Sequence, residues 1–353
     1  MIMWKVEIKK VDRLYEFTYV FLQDLFEWAL NNIGVSMENV QESIKEQRLY
    51  CLAKKCPKLR EHMFKLAQCR DLKEVFQMYK EFISNYERVL KGNFQSEIQL
   101  EETTFKIVRN VFEYFYEDML DLKSFWGNYK SGEYKTKNEY REEIGAIRHR
   151  CPYCDVNRIT SADYSNIDHF LPIYSYPFLS IFWRNLVVSC TSCNTQVKNK
   201  TIMLPILHPF FDRIQDEIFF TFNMENKVIL INTKDNGFGS KAAENYCKVF
   251  HLEKNYSKLW HVIDREERDI MSEITRNLNK TETKEKEIEQ MMLERNDVIN
   301  NREKIIYSQI AIDECTKLKI DFYKFYRTYE IERMEKFMLL EQQGINVFQE
   351  MEV

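Results

Sequence analysis

Glycine and proline are scarce in this chain of 353 residues, which has only eight glycines and six prolines. A sheet-rich protein needs many tight turns, and these two residues supply most of them, so their scarcity predicts long helices. The sequence also lacks an apolar run of about 18 or more residues, and we therefore expect no membrane span. The stretch Met1–Leu14 lacks the apolar core and cleavage site of a signal peptide, so we expect a cytoplasmic protein.

An excess of positive charge is also absent, because the net charge is −4 and the isoelectric point is near 6.0. Whole-chain charge therefore gives no support for nucleic-acid binding, which would have to depend on a local patch. Such a patch is present between Gly145 and Arg213, where seven Lys and Arg residues stand against four Asp residues. The phosphate-binding pattern G-x-x-x-x-G-K-[ST] is missing, so any use of a nucleoside triphosphate is expected from a partner chain.

The distribution of residue types divides the chain into three predicted regions. Residues 1–145 carry apolar side chains three or four positions apart, which predicts an N-terminal helical region. Residues 146–212 concentrate Pro, Cys, His and Asn and form the predicted core of the functional site. Residues 213–353 begin with a hairpin pattern and continue as long charged helices, whose heptads are too irregular to predict a coiled coil and leave an oligomer open. The predicted fold class is mainly α with a small α+β insert.

Short strand-like runs predict four strands. Tyr164–Phe170 and Asn185–Ser189 are strand-like, and a short helix is predicted after Cys193. Residues 218–222 and 228–232 are apolar on either side of a polar connection, and this pattern is typical of a hairpin.

Two C-x-x-C pairs predict a metal site: Cys151 with Cys154, and Cys190 with Cys193. Each pair can place two thiolates on one ion, and together they complete the tetrahedral sulfur shell that structural zinc prefers. A full shell leaves no open position, so this zinc is expected to stabilise the fold and to take no part in chemistry. Redox chemistry is the alternative, but one such pair is usually enough for it and no βαβ pattern precedes either pair.

One proline and several polar residues follow in a particular order between and after the cysteine pairs. They are Asp168, His169, Pro172, Asn185, Asn194 and Lys198. This order resembles the HNH endonuclease family in its zinc-stapled version, over a stretch from Cys151 to Lys200. The resemblance implies a ββα-metal core with a structural zinc, flanked by helical regions.

The resemblance also implies a role for each polar residue. His169 is the expected general base that activates water, a task for which a neutral imidazole near pH 7 is suited. Asp168 and Asn194 are the expected oxygen ligands of a catalytic Mg²⁺ or Mn²⁺. Asn185 is expected to hydrogen-bond the backbone and hold the loop that carries the histidine, and Lys198 to bind a substrate phosphate.

Three details depart from the family pattern or stay open. Asn194 stands where the family often has His, yet its side-chain carbonyl still offers an oxygen. Asp155 stands where many members have Gly, which affects the turn after the first cysteine pair. Adjacent residues of a strand point to opposite faces, so either the strand is distorted at Asp168 and His169 or the two side chains flank the cation from different sides.

The sequence thus favours a metal-dependent endonuclease acting on nucleic acid, with DNA as the expected substrate. Small HNH blocks inside helical flanks also resemble effectors of anti-phage defence, including Septu-type nucleases that are paired with an ATPase. The alternative is a non-catalytic zinc-ribbon protein that binds nucleic acid or acts as an adaptor. That alternative explains the cysteines and the basic block, but not the intervals between Asp168, Asn185 and Asn194.

Overall fold

The computed structural model describes residues 9–44, 49–129, 136–198, 201–234, 238–278 and 288–342. The α-helices of this described part are α1 (Lys9–Asn31), α2 (Leu49–Lys55), α3 (Pro57–Ala67), α4 (Leu72–Ser84), α5 (Tyr86–Leu90), α6 (Glu102–Glu117), α7 (Lys123–Asn128), α8 (Lys137–Ile147), α9 (Ile214–Glu217), α10 (Phe238–Val249), α11 (Leu252–Tyr256), α12 (Trp260–Leu278), α13 (Ile288–Ser308) and α14 (Thr316–Gln342). Short 3-10 helices lie at Met37–Asn39, Glu42–Ile44, Met119–Asp121, Pro177–Leu179 and Trp183–Asn185, and a π-helix lies at Ser192–Lys198. The strands are β1 (Ser165–His169), β2 (Leu186–Cys190), β3 (Ile218–Asn223) and β4 (Val228–Thr233).

These elements confirm the predicted class at the level of mainly α with a small β component. The four strands form two separate antiparallel pairs, β1 with β2 and β3 with β4. Within the described residues, no helix combines the length and the apolarity needed to span a bilayer.

The chain divides into two compact units. The first unit holds the described residues up to Ile214 together with the segment Lys241–Phe250. The second unit holds Gln215–Ser240 and the described residues from His251 onward.

These units group the sequence differently from the three predicted regions. The predicted helical region 1–145 and the predicted core 146–212 share the first unit. The predicted region 213–353 contributes Lys241–Phe250 to that same unit, where Tyr246 is fully buried. Apolar periodicity shows which face of a helix is buried, but it does not show which distant segment covers that face.

The helices of the first unit bury the apolar faces that their sequences predict. In α1, Phe21, Leu25 and Trp28 are three or four residues apart, and each is at most 1% exposed. The Phe21 ring meets Phe115 of α6 edge-on at 5.3 Å and Phe125 of α7 at 5.1 Å. Edge-to-face ring pairs at this distance add to the stability that burial gives, so α6 is held firmly beside the site described below.

Strands β1 and β2 lie close to the runs predicted for them. They pair antiparallel with Asp168 opposite Val187 and His169 opposite Leu186. Every residue of β2 is buried, which explains the apolar run at its positions 186–188. The π-helix follows within two residues, so the predicted strand, strand and helix order is present.

The hairpin of the second unit follows the predicted alternation. Ile218, Phe220 and Phe222 of β3 are buried, and the residues between them are exposed. The Asn223 side chain accepts a backbone N–H three residues further on at 2.9 Å, and Lys227 has a φ of 54°. Asn is suited to such turns because its side chain replaces a backbone hydrogen bond. The predicted hairpin is confirmed.

Candidate active site and metal centre

The four cysteines of the two C-x-x-C pairs meet in the first unit. The Sγ atoms of Cys151, Cys154, Cys190 and Cys193 all lie within 4.8 Å of one another, and all four side chains are buried. Zn–S bonds of about 2.3 Å in a tetrahedron put the sulfurs about 3.8 Å apart. The cluster is therefore compact enough to hold one zinc ion, and four thiolates are the donor set of a structural site.

One backbone hydrogen bond to sulfur joins the two pairs, and a second lies within the later pair. The Cys190 N–H donates to Cys151 Sγ at 3.3 Å, and the Cys193 N–H donates to Cys190 Sγ at 3.4 Å. Burial raises the pKa of the Cys151 thiol well above its ordinary value. A divalent cation would offset that effect by stabilising the thiolates, which is why metal binding at such a site is coupled to folding.

The turn after the first pair takes a backbone conformation that favours glycine at position 155. Asp155 has a φ of 55°, in the left-handed region that favours glycine, and its N–H donates to the Cys151 carbonyl at 2.9 Å. Asp is among the residues that tolerate this conformation best. On the other side of the turn, Tyr246 Oη of α10 lies 3.1 Å from the Pro152 carbonyl and 3.2 Å from the Tyr153 carbonyl. Helix α10, which lies far along the sequence, thus holds the turn of the first cysteine pair, 151–155, which we call the knuckle.

Asp168 is a buried carboxylate with two polar partners. It is 3% exposed, and Tyr153 Oη donates to its Oδ2 atom at 2.8 Å. Lys198 Nζ lies 2.9 Å from both carboxylate oxygens, and the Lys198 side chain is 1% exposed. Burial raises the pKa of Asp168 above its ordinary value, while Lys198 and then Tyr153 act in the opposite direction. The carboxylate is therefore matched with a buried ammonium group.

His169 is half-buried between helix α6 and a backbone carbonyl. Its Nε2 lies 2.9 Å from the Ser180 carbonyl oxygen, and its ring meets Tyr116 edge-on at 4.2 Å. A carbonyl can only accept, so Nε2 carries the hydrogen and Nδ1 presents a lone pair. Ser180 in turn donates its hydroxyl to the Phe112 carbonyl of α6 at 2.8 Å. Burial lowers the pKa of His169 to about 4, so the imidazole is neutral at pH 7.

The strand carrying Asp168 and His169 keeps a regular register to its end. Asp168 contacts Tyr153 and Lys198, whereas His169 contacts Ser180 and helix α6. The two side chains therefore leave the strand towards different neighbours, and no distortion brings them onto the same side.

Asn185 is fully buried and holds the loop just after β1. Its Oδ1 atom accepts the Leu171 N–H at 2.7 Å, and its Nδ2 atom donates to the carbonyls of Leu171 at 3.1 Å and Leu179 at 3.2 Å. The Tyr86 hydroxyl donates to the same Oδ1 atom at 2.8 Å and lies 3.3 Å from His208 Nε2. Every polar atom of the amide has a partner, so its orientation is fixed.

Asn194 and Lys198 lie four residues apart on the π-helix. Lys198 Nζ donates to both Asp168 and the His169 carbonyl, which ties the helix to the end of β1. Asn194 is half-buried, and its side chain has no hydrogen bond to any residue that the structure describes. The structure thus brings the side chains of Asp168 and Lys198 together and places the His169 side chain among other neighbours, while the phosphate-binding role of Lys198 and the ligand role of Asn194 stay predictions.

Comparison with known proteins gives partial similarities. Two curated proteins resemble this chain over part of its length. The chain is 31% identical over 103 residues to protein ea31 of Escherichia phage lambda, which covers 28% of this chain and 32% of ea31. It is 27% identical over 125 residues to the Septu protein PtuB of Bacillus thuringiensis, which covers 31% of this chain and 49% of PtuB. The chain thus spans half or less of each relative, and neither a family model nor a solved structure matches it.

Several residues around the site were not found by reasoning from the sequence. Tyr153 stands inside the first C-x-x-C pair. Its position between two expected metal ligands could have indicated that its side chain lies near the site. Tyr86 and Asn185 are 99 residues apart, and no local pattern connects them. Ser180 and Tyr116 hold His169 from a loop and from α6, and both looked like ordinary residues of their segments.

Proposed function

We propose that this chain is a metal-dependent endonuclease of the HNH type, which hydrolyses phosphodiester bonds in nucleic acid. The observation that carries the proposal is the state of His169, whose Nε2 is held by the Ser180 carbonyl. That contact leaves an unprotonated Nδ1 on the residue next to the buried Asp168. The Asn185 amide holds the loop just after this end of β1, as a base that must be held in one orientation requires.

His169 has the properties that a general base needs. Hydrolysis of a phosphodiester requires removal of a proton from the attacking water. Because burial lowers the pKa of His169 to about 4, Nδ1 is free to accept that proton at neutral pH. The Ser180 carbonyl then fixes the ring and its tautomer and stabilises the imidazolium that forms.

A hard divalent cation such as Mg²⁺ or Mn²⁺ would neutralise charge on the phosphate and stabilise the leaving oxygen. Asp168 and Asn194 offer oxygen donors of the right class for it. The Lys198 ammonium, 2.9 Å from the Asp168 carboxylate, shows that this position already accommodates a positive charge. Under this proposal Lys198 gives up part of that contact when a cation binds, and its ammonium becomes available to a phosphate.

A second function of a different class is a non-catalytic zinc-ribbon or adaptor protein that binds nucleic acid. The ion pair between Lys198 and Asp168 favours it. A carboxylate that is already neutralised by a buried ammonium has no electrostatic need of a metal ion.

A cleavage assay separates the two functions. The full chain is incubated with DNA and with RNA, with and without Mg²⁺ or Mn²⁺, beside His169→Ala and the control His261→Ala. His261 is exposed on α12 in the second unit, so its loss changes the histidine count without touching the site. Metal-dependent cleavage lost only in His169→Ala supports the nuclease. Equal cleavage by both variants refutes the assigned base, and binding without cleavage under every metal condition supports the second function.

The biological setting belongs to the same proposal. The partial similarity to the Septu protein PtuB supports a role in anti-phage defence. DNA as the substrate and an ATPase as the partner protein are further parts of this proposal. A plaque assay on cells carrying the gene tests that role, and we expect protection to be lost with His169→Ala. Protection that persists in this variant would separate defence from the proposed chemistry.

A further inference from the structure

The second unit contains an open cleft of about 580 Å³ that is lined by residues of α9, the β3–β4 hairpin and α14. This volume falls within the range of about 300–1,000 Å³ that is usual for small-molecule sites. The side chains that matter to the argument are Gln215, Phe219, Lys234, Lys317, Asp321 and Lys324. None of them takes part in the chemistry proposed for His169.

The cleft has more positive charge than its acidic residues neutralise. Lys317 Nζ lies 2.7 Å from Asp321 Oδ1, and Asp321 Oδ2 accepts a backbone N–H of β3 at 2.9 Å, so both groups are satisfied. Asp216 acts electrostatically on the same Lys317. Lys234 and Lys324 are exposed, and neither forms an ion pair with a residue that the structure describes. Two ammonium groups at the rim are therefore available to an anion.

A buried amide oxygen at the cleft has no partner among the described residues. Gln215 is 9% exposed, and its Oε1 atom has no hydrogen bond to any described residue. Burying a polar group without a hydrogen bond costs free energy. An amide can donate and accept at once, so it suits a ligand whose edge carries both kinds of group.

An aromatic surface lies beside these polar groups. Phe219 points outward from β3 and is 37% exposed, and the ring of Phe325 on α14 is half-buried. Exposed rings next to unpaired lysines are the usual means by which proteins hold unpaired bases, since the ring stacks on the base and the ammonium groups contact the phosphates.

We propose that this cleft binds a nucleotide unit, an aromatic base together with its phosphate, free or within a single strand of nucleic acid. Phe219 would stack on the base, Gln215 would contact its hydrogen-bonding edge, and Lys234 and Lys324 would contact phosphate. A duplex fits less well, because its bases are already stacked and paired. The inference goes beyond the proposed nuclease, since it needs neither His169 nor a divalent cation.

Binding is measured with the full chain, with its zinc retained and no Mg²⁺ or Mn²⁺ added, so that cleavage does not interfere. The probes are a fluorescent oligothymidine, a duplex of the same length, and ATP as a free nucleotide. In Lys234→Gln/Lys324→Gln we expect the slope of log K against log salt for the oligothymidine to shrink by about 1.4, or about 0.7 for each phosphate contact. The matched control is Lys241→Gln/Lys248→Gln, which removes two exposed lysines that pair with Glu244 on α10 and should leave the slope unchanged.

Two further variants test the ring and the amide. Phe219→Ala should weaken binding roughly 5- to 150-fold, the range for loss of one base stack. Gln215→Met removes an unpartnered buried amide while keeping its length, so it should weaken binding and also raise the melting temperature. A purely structural Gln215 would show a fall in melting temperature instead.

The outcomes distinguish the sources of the ligand. If oligothymidine binds tightly and ATP does not displace it, the ligand of the cleft is a single strand of nucleic acid. If ATP displaces it, the ligand is a free nucleotide. Equal affinities and slopes for the wild type and all cleft variants would overturn the inference, as would a duplex that binds as tightly as the single strand. Because the cleavage assay is separate, either proposal can fail while the other stands.

Discussion

Replacement of Lys198 by methionine tests how strongly the candidate site depends on a positive charge beside Asp168. Both side chains are at most 4% exposed, and Nζ lies 2.9 Å from the carboxylate. Methionine keeps much of the length and the apolar volume but leaves the carboxylate without its counter-charge. Removal of one partner of a buried ion pair costs about 3–5 kcal/mol. We expect Lys198→Met to lower the free energy of unfolding by about that amount at pH 7 without added divalent cation.

The loss should depend on pH and on metal. Burial raises the pKa of Asp168 and Lys198 lowers it, so in the variant the folded-state pKa rises further above the unfolded value. A group of this kind adds stability at low pH and loses it as pH rises through the folded-state pKa. The destabilisation should therefore shrink in acid. At pH 7, Mn²⁺ should restore part of the stability if the position accepts a cation.

Urea unfolding followed by circular dichroism measures the effect, and a double-mutant cycle isolates the pair. Asp168→Asn removes the charge from the other side, and Lys198→Met/Asp168→Asn removes both. Since the double variant has no uncompensated charge, we expect it to be more stable than the sum of the single losses implies. Strictly additive losses, together with no effect of Mn²⁺ on any variant, would refute the reasoning about this ion pair.

Three further predictions concern the backbone, the base and the sulfur cluster. Gly145→Ala places a Cβ against the Ile159 carbonyl oxygen and should lower the free energy of unfolding by about 1–3 kcal/mol. The control Gly127→Ala, in helix α7 with open space around it, should be neutral or stabilise by up to about 1 kcal/mol; a reversed order in urea unfolding would contradict the packing described. If His169 is the base, protonation abolishes activity, so the acid limb of kcat/KM should lie well below pH 6.5 and near the imidazole pKa of about 4; a limb at 6.5 would point to a different, solvated histidine. Cys151→Ser should abolish tight zinc binding and unfold the knuckle, while Cys51→Ser, at an exposed thiol, should retain zinc as measured by metal analysis; retention of zinc in both would argue against the cluster.

The parts of the fold that depend on neighbouring residues could be predicted from the sequence. The run Tyr164–Phe170 contains β1, and the hairpin around Asn223 follows from alternation and an Asn-containing turn. The cysteine cluster could be predicted because each C-x-x-C pair fixes the positions of two ligands locally. Only the approach of one pair to the other depends on the rest of the fold.

The supports of the site could not be predicted, because they are long-range. Tyr86 reaches Asn185 from a helix 99 residues earlier. The buried state of Lys198 was also missed, since lysine usually lies in solvent and its pairing with Asp168 depends on the π-helix that presents it. Local patterns give the chemical type of a side chain, whereas its partner depends on packing between distant segments.

The return of Lys241–Phe250 to the first unit has a consequence for the order of events during synthesis. Tyr246 contacts the cysteine knuckle, and Phe250 stacks on Tyr153 at 4.2 Å, next to the hydroxyl that holds Asp168. Because chains emerge from the ribosome N-terminus first, the knuckle cannot be completed until the intervening hairpin has also emerged. A nascent chain stopped shortly after Ile214 should therefore remain sensitive to protease at the knuckle, even when zinc is supplied.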